Sequence, residues 1–202
     1  EIGLGAGLAA LMFLVATTSG DPALTSSPWR RGGELISFDL GYNDLYGPAK
    51  IVAETYLRKT FGSRRFISVK GDSSFMVAEY AKANPGVKCD IVHIDGDHRF
   101  DAFLRDIQST RKYLATGDTV LFVDDLQYGE TLAVVRAAER SELIHVDRMY
   151  AEDGPRDPFL ASAHKQDQEL FKSAAKLYAK ASYCGLKTEQ GRIACSNKTG
   201  LS

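Results

Sequence analysis

Short apolar runs alternate with amphipathic stretches along this chain, and two of the runs end abruptly in acids. The run from Ile91 to Ile94 precedes Asp95-Gly96-Asp97-His98, and the run from Thr119 to Val123 precedes Asp124-Asp125. Apolar runs of this length predict buried strands of a parallel sheet. The stretch between them has a helical apolar face that ends before Gly117, which predicts a βαβ unit. That face comprises Phe100, Phe103, Leu104, Ile107 and Leu114.

The remaining pattern predicts further alternation of strands and helices, which is typical of an α/β fold. Predicted strands are Glu34 to Asp39, Arg65 to Lys70, Leu143 to Met149 and a final Arg192 to Ser196; predicted helices are Leu8 to Leu14, Pro48 to Phe61, Phe75 to Ala83 and Glu130 to Arg140. We interpret another apolar stripe as core packing: Leu170, Phe171, Ala174, Leu177, Tyr178 and Ala181. We expect a single domain over residues 1–202, in which 17–33 and 151–190 are insertions or substrate-side segments.

The first residues have the pattern of a strand end, a glycine turn and a buried apolar helix. Glycines at positions 3, 5 and 7 let the backbone approach a ligand closely, and the amino terminus of the helix offers free N–H groups. Asp39, at the tip of the second predicted strand, can accept both ribose hydroxyls of an adenosine. Asp72 either caps the following helix or contacts a ligand. Because the chain opens at Glu1 in what looks like the end of a strand, we expect upstream residues, where any targeting signal would lie.

The acids after the two central strands predict a metal site. The carboxyl ends of parallel strands meet at one edge of a sheet, where α/β proteins bind ligands. Asp95, Asp124 and Asp125 would there form an oxygen-rich site for a hard divalent cation such as Mg²⁺. Each cluster alone is also explained by turn chemistry or by a solvated helix start. Two clusters at successive strand ends favour the metal site.

The charge balance and the length of the apolar runs indicate which kind of partner the chain binds. The chain has 25 Lys and Arg against 26 Asp and Glu, so no net field attracts nucleic acid. The longest apolar run, Gly7 to Ala16, is far shorter than the ~20 residues that span a bilayer. A small-molecule partner is therefore expected, and a homo-oligomer is left open. Three cysteines, Cys89, Cys184 and Cys195, lack metal-ligand spacing, and a bridge between the last two is left open.

In this order, the glycine loop, the acid-ended second strand, Gly71-Asp72-Ser73, Asp95-Gly96-Asp97-His98 and Asp124-Asp125 resemble the class I S-adenosylmethionine-dependent methyltransferases. Among these, the chain is similar to metal-dependent O-methyltransferases related to macrolide-sugar and aminocoumarin-sugar enzymes and, more distantly, to catechol O-methyltransferase. The resemblance covers residues 1 to about 150. It implies a Rossmann-like doubly wound sheet of seven strands, mostly parallel with an antiparallel last strand and helices on both faces. The first strand would be truncated here.

The resemblance also implies a role for each motif residue. The cofactor S-adenosylmethionine would contact Glu1, Gly3, Gly5 and Gly7 with its methionine end, Asp39 with its ribose, and Asp72 and Ser73 on its adenine side. Mg²⁺ would bind Asp95, Asp124 and Asp125, and Asp97 or His98 would take the proton of the acceptor hydroxyl. We expect Asp97 to be the base, because a glycine separates it from the metal ligand Asp95. The catechol branch has a lysine near the acceptor, and none lies within Asp95 to Phe100, which favours the sugar-type branch or another base.

The predicted function is Mg²⁺-dependent O-methylation of a hydroxyl group on a sugar or phenol-like molecule. One alternative is an NAD(P)-dependent oxidoreductase, since Gly5, Gly7 and Ala10 fit the dinucleotide pattern G-x-G-x-x-A. Tyr46 and Lys50 also have the Tyr-x-x-x-Lys spacing of one oxidoreductase branch, although they follow the second strand rather than the fourth or fifth. The other alternative is a non-catalytic cofactor-binding or interaction module with the same fold.

Overall fold

A computed structural model describes residues 1–5, 7–17, 33–41, 47–153 and 174–195. Five helices and six strands lie within these ranges. The chain falls into two compact units, Glu1–Met76 and Val77–Ser202, which are taken in turn. The prediction of a single domain stays a prediction.

The first unit contains a parallel pair of strands that one helix connects, with one helix before the pair and one after it. Its elements are α1 (Leu8–Ala16), β1 (Leu35–Asp39), α2 (Gly47–Phe61), β2 (Phe66–Lys70) and the start of α3 (Ser73–Ala83). In the parallel register, Leu35 is opposite Phe66 and Asp39 is opposite Lys70. Ile2 forms an isolated parallel bridge with Phe38, so the residues before the glycine loop run beside β1. Because the chain at Ile2 and β1 run in the same direction, the glycine loop that follows Ile2 lies beside Asp39 at the end of β1.

Burial in this unit differs from the sequence prediction at α1, and α2 buries only part of its apolar residues. The buried core comprises Leu4, Ala10, Leu14, Leu57 and Phe66. Although α1 was predicted to be buried, Leu8 and Met12 on its other face are 67% and 65% exposed. In α2, Leu57 is buried, but Val52 and Tyr56 are exposed. The helix α1 is apolar throughout and has no polar face, so the sequence pattern alone could not distinguish its buried side.

The second unit contains a mixed four-stranded sheet. Its strands and helices are β3 (Ile91–Ile94), α4 (Phe100–Tyr113), β4 (Val120–Val123), α5 (Gly129–Arg140), β5 (Ile144–Asp153) and β6 (Ala174–Tyr183). The strand order is β3-β4-β6-β5. β3 and β4 are parallel, which confirms the predicted βαβ unit, and Phe103, Ile107 and Leu114 of the predicted helical face are buried. β6 is antiparallel to both of its neighbours.

The last strand lies earlier in the chain than predicted. Ala174–Tyr183, within the apolar stripe, is a strand that pairs on both sides, while Leu170 and Phe171 lie outside the described residues. Ala179, Ala181 and Tyr183 are buried and alternate with less buried residues, which is the two-residue period of a strand. The predicted strand at Arg192 to Ser196 is wrong over its described part, where only an isolated bridge from Ile193 to Lys187 occurs.

None of the helices in the described part of the chain has the length and apolar character that a membrane span requires.

A disulfide joins Cys184, at the end of β6, to Cys195. The loop that it closes docks on the turn before β4, because the Gly117 N–H group donates to the Lys187 carbonyl at 2.8 Å. A Cβ atom added at Gly117 would lie 2.7 Å from the backbone of Leu186, so glycine permits this close approach. The pairing that the sequence left open is therefore present.

Reduction of this disulfide is expected to lower the free energy of unfolding by about 2–3 kcal/mol, because the unfolded chain regains the freedom of the closed loop. Urea unfolding with and without reductant measures the effect. A Cys184→Ala/Cys195→Ala variant should show the reduced stability and no response to reductant. Equal stability of the oxidised and reduced protein would contradict the expectation.

Candidate active site

In the first unit the glycine loop has the conformation that its sequence requires. Gly3, Gly5 and Gly7 have φ values of 83°, 49° and 76°, a left-handed region in which a side chain is strained. A Cβ atom added at Gly7 would lie 2.8 Å from Ala53 Cβ, so this glycine lets α2 pack closely. A Cβ atom at Gly5 would meet no described heavy atom within 4 Å. As far as the described residues show, Gly5 leaves space beside the backbone, as a bound cofactor needs.

Asp39 lies at the end of β1 and binds the glycine loop. Its Oδ2 accepts the Leu4 N–H group at 2.8 Å, and its Oδ1 accepts the Gly41 N–H group at 2.7 Å. Oδ1 also forms an ion pair with the buried Lys50 ammonium of α2. Burial raises the pKa of Asp39, but the donors from Lys50, Gly41 and Leu4 outweigh it, so that the pKa lies below its usual value. The carboxylate is therefore ionised at neutral pH.

Glu1 precedes the loop and has a buried carboxyl group. Its backbone carbonyl accepts the Phe38 N–H group at 2.9 Å, which fixes the residue beside β1. Burial raises the pKa of the Glu1 carboxyl to about 7. Because burial destabilises the ionised form, a cationic ligand would stabilise it. These properties fit the positively charged methionine end of S-adenosylmethionine.

Asp72 caps α3, as one of the two sequence interpretations held. Its Oδ1 accepts the Ser74 N–H group at 2.9 Å and the Ser74 hydroxyl at 2.7 Å. These bonds satisfy donors at the start of the helix. Ser73 is the first residue of α3. Contact of Asp72 and Ser73 with an adenine stays a prediction.

In the second unit, the acids after β3 and β4 come together with two histidines. Potential ligand atoms lie within 4.8 Å of one another in two overlapping groups that share Asp95: His93, Asp95 and Asp124 form one, and Asp95, His98 and Asp125 form the other. His98 Nε2 lies 3.0 Å from Asp125 Oδ2, and His93 Nε2 lies 3.8 Å from Asp124 Oδ2. The structure thus places all three predicted metal ligands at the carboxyl ends of neighbouring parallel strands, with Asp124 in one group and Asp125 in the other. Carboxylate and imidazole groups are a donor set that divalent cations bind.

Asp125 is held by an unusual backbone and by its neighbours. Its φ of 57° is rare for a residue with a side chain, and such strain concentrates at functional sites. Its N–H group donates to Asp124 Oδ1 at 2.9 Å, and Gln127 Nε2 donates to its Oδ1 at 2.6 Å. The His98 ring stacks on Tyr128 with 4.7 Å between ring centroids. These contacts orient Asp125 and His98 towards each other.

The two candidate bases differ in their charge environment. Asp97 pairs with Arg99 through both carboxylate oxygens, and the bond from Arg99 holds the pKa of Asp97 below its usual value. The hydrogen bond to Asp125 raises the pKa of His98, with further contributions from Asp95 and Asp97. Burial raises the pKa of Asp125, but the hydrogen bonds from His98 and Gln127 outweigh burial, so that the pKa lies below its usual value. Asp97 is thus held by Arg99, whereas His98 contacts Asp125, and the choice of base between them stays a prediction.

Sequence reasoning missed three residues of these sites. His93 lies two residues before Asp95 and thus on the same side of the extended chain, a signal that could have identified it. Gln127 lies two residues after Asp125, which allows a local hydrogen bond but does not single it out. Lys50 was considered only as part of a Tyr-x-x-x-Lys pair, and its ion pair with Asp39 has no signal in the sequence. Tyr46 lies outside the described residues.

Comparisons with known proteins give a matching family and similar folds. The family described as "Methyltransferase domain" matches residues 1–126. One similar solved structure is the apo form of CalS11, a TDP-rhamnose 3'-O-methyltransferase of calicheamicin biosynthesis. Its sequence is 19% identical, and the superposition covers 89% of this chain and 69% of CalS11 with a TM-score of 0.53. An O-methyltransferase from Bacillus cereus, in complex with SAH, is 11% identical over 91% and 72% of the two chains with a TM-score of 0.59. No curated protein matches significantly.

The structural likenesses show an α/β methyltransferase-like fold, and the family match covers more than half of the chain. The family match favours a methyltransferase over the oxidoreductase alternative and over a module without catalytic activity. The chain therefore belongs to the methyltransferase domain family and is an S-adenosylmethionine-dependent methyltransferase.

Proposed function

We propose that the chain is a Mg²⁺-dependent O-methyltransferase that acts on a hydroxyl group of a small molecule, either a sugar or a phenol-like compound. We also propose that its fold is Rossmann-like and doubly wound, which the parallel strand pairs and the antiparallel β6 support. S-adenosylmethionine would contact Glu1, Gly3, Gly5, Gly7, Asp39, Asp72 and Ser73. Asp95, Asp124 and Asp125 would hold the cation.

The observation that carries the proposal is the cluster of carboxylate and imidazole groups at the ends of β3 and β4. A methyltransferase does not need a metal to activate the methyl group, because the sulfonium of the cofactor already does so. A divalent cation would instead coordinate the acceptor and lower the pKa of its hydroxyl group. Asp95, Asp124 and Asp125 would orient that cation. This use explains why acids follow both strands.

We propose His98 rather than Asp97 as the base that takes the hydroxyl proton. His98 Nε2 lies 3.0 Å from Asp125 Oδ2, so the imidazole stands beside a proposed metal ligand. Asp97 is engaged by Arg99. A bound cation would offset the negative charge of Asp95 and Asp125 and thereby favour the neutral imidazole, which is the form that accepts a proton.

A sugar hydroxyl is one of the two acceptor classes that we propose. CalS11 is described as a TDP-rhamnose 3'-O-methyltransferase, which supports this class. The near-zero net charge of this chain supports a small acceptor over a polyanion. Both a sugar diol and a catechol offer two adjacent oxygens that one cation can coordinate together.

Acceptors with two adjacent hydroxyl groups are therefore expected to be methylated roughly tenfold faster or more than matched acceptors with one, because chelation fixes the reacting oxygen. Transfer of a labelled methyl group from S-adenosylmethionine measures this for catechol against phenol, and for a sugar nucleotide against its mono-deoxy analogue. Equal rates within each pair, or transfer to an amine instead of a hydroxyl group, would refute the proposed acceptor chemistry.

A further inference from the structure

Lys50 is a buried cation in an unfavourable position of its helix. It lies in the first turn of α2, where the helix dipole is positive and where no acidic residue occurs. Its side chain is only 8% exposed. A buried ammonium is costly unless it is paired, and among the described residues its partner is Asp39. Helix stability therefore gives no reason for a lysine here, whereas its contact with Asp39 does.

The hydrogen bonds of Asp39 limit what this carboxylate can still accept. Its two oxygens offer about four acceptor positions. Oδ1 already accepts from Gly41 and Lys50, and Oδ2 accepts from Leu4. About one position is left, on Oδ2. A ribose presents two neighbouring hydroxyl groups, so Asp39 cannot bind both of them while these three contacts remain.

Lys50 can satisfy the second hydroxyl group. An ammonium has three N–H donors, and one of them reaches Asp39. A hydroxyl oxygen accepts as readily as the hydroxyl proton donates. The ion pair thus offers a diol one acceptor, Asp39 Oδ2, and one donor, Lys50 Nζ, on neighbouring atoms. This arrangement is complementary to two adjacent hydroxyl groups.

We propose that Lys50 is a cofactor-binding residue that, together with Asp39, recognises the ribose diol of S-adenosylmethionine: Asp39 accepts from one hydroxyl group and Lys50 donates to the other. The inference rests on the proposed contact of Asp39 with the ribose. The backbone N–H groups of Leu4 and Gly41 fix the orientation of the carboxylate, and Lys50 extends the site by one charged donor.

The test is calorimetric binding of S-adenosylhomocysteine and of its 2'-deoxy and 3'-deoxy analogues. The unmodified protein should bind both deoxy analogues about tenfold more weakly or worse, because each lacks one hydrogen bond to a charged group. Lys50→Met should bind S-adenosylhomocysteine about tenfold more weakly and should lose discrimination against one deoxy analogue while it keeps discrimination against the other. Lys59→Met, an exposed lysine of the same helix, is the matched control and should behave like the unmodified protein.

Several outcomes would overturn the inference. If Lys50→Met is less stable but discriminates both analogues as before, the ion pair serves only folding. If the unmodified protein binds S-adenosylhomocysteine but ignores both missing hydroxyl groups, neither Asp39 nor Lys50 contacts the ribose. No binding at all would refute the cofactor site itself, and the inference with it. Should Lys50→Met fail to fold, Asp39→Asn/Lys50→Met removes both charges, and retained discrimination in that variant would equally refute the proposal.

Discussion

Methyl transfer is expected to stop in excess EDTA and to return when Mg²⁺ is added. The hydroxyl proton of a sugar or phenol is weakly acidic, and without the cation the acceptor would lose both its orientation and the lowering of its pKa. Asp124→Ala and Asp125→Ala should each weaken cation binding by about 100-fold or more and reduce turnover by a similar factor, since each removes a charged ligand of the proposed site. Calorimetry with Mg²⁺ and a coupled methyl-transfer assay measure the two effects.

The control for these variants is Asp101→Ala. Asp101 is an exposed acid in the first turn of α4, outside the two groups of potential metal ligands. It should leave cation binding and turnover unchanged. Full activity in excess EDTA, together with unchanged activity of Asp124→Ala, would show that the carboxylates are structural.

The second large effect is expected at the base. His98→Gln should lower turnover by roughly 10²-fold or more, because general base catalysis contributes about that factor. Asp97→Asn should be milder, since Arg99 already engages that carboxylate. Cation affinity should be retained in both variants, because the proposal assigns the cation to Asp95, Asp124 and Asp125 and makes His98 the base although its imidazole is one of the potential ligands. Steady-state rates measured across a range of pH separate the candidates.

The pH dependence of the turnover rate shows whether a histidine acts as the base. A histidine base is active when neutral, so the rate should fall as pH decreases through the apparent pKa of His98, and that limb should disappear in His98→Gln. His145→Gln, which changes a histidine of β5 outside the cluster, should retain the limb. A larger loss in Asp97→Asn than in His98→Gln would return the role of base to Asp97.

The exposed face of α1 and the strand at Ala174–Tyr183 show where sequence periodicity fails. Ala174, Leu177, Tyr178 and Ala181 have spacings that fit more than one structure, and pairing with β4 and β5 decided that they form a strand. Short apolar runs are ambiguous because the same residues pack well in a helix or in a sheet. In α1, the whole sequence is apolar, so the neighbours in the fold alone determine which side is buried.

By itself the sequence determined the order of strands, helices and glycine turns through residue 150 and the placement of Asp95, Asp124 and Asp125 at strand ends. These features are local, because hydrophobic runs define strands and parallel strands present their carboxyl ends at one edge. Only the tertiary structure decided the partners of the charged groups. Lys50 pairs with Asp39 across 11 residues, and His98 meets Asp125 across 27 positions, from one strand end to the next. Such pairings depend on the distance and direction between side chains in the folded chain, which no spacing along the sequence specifies.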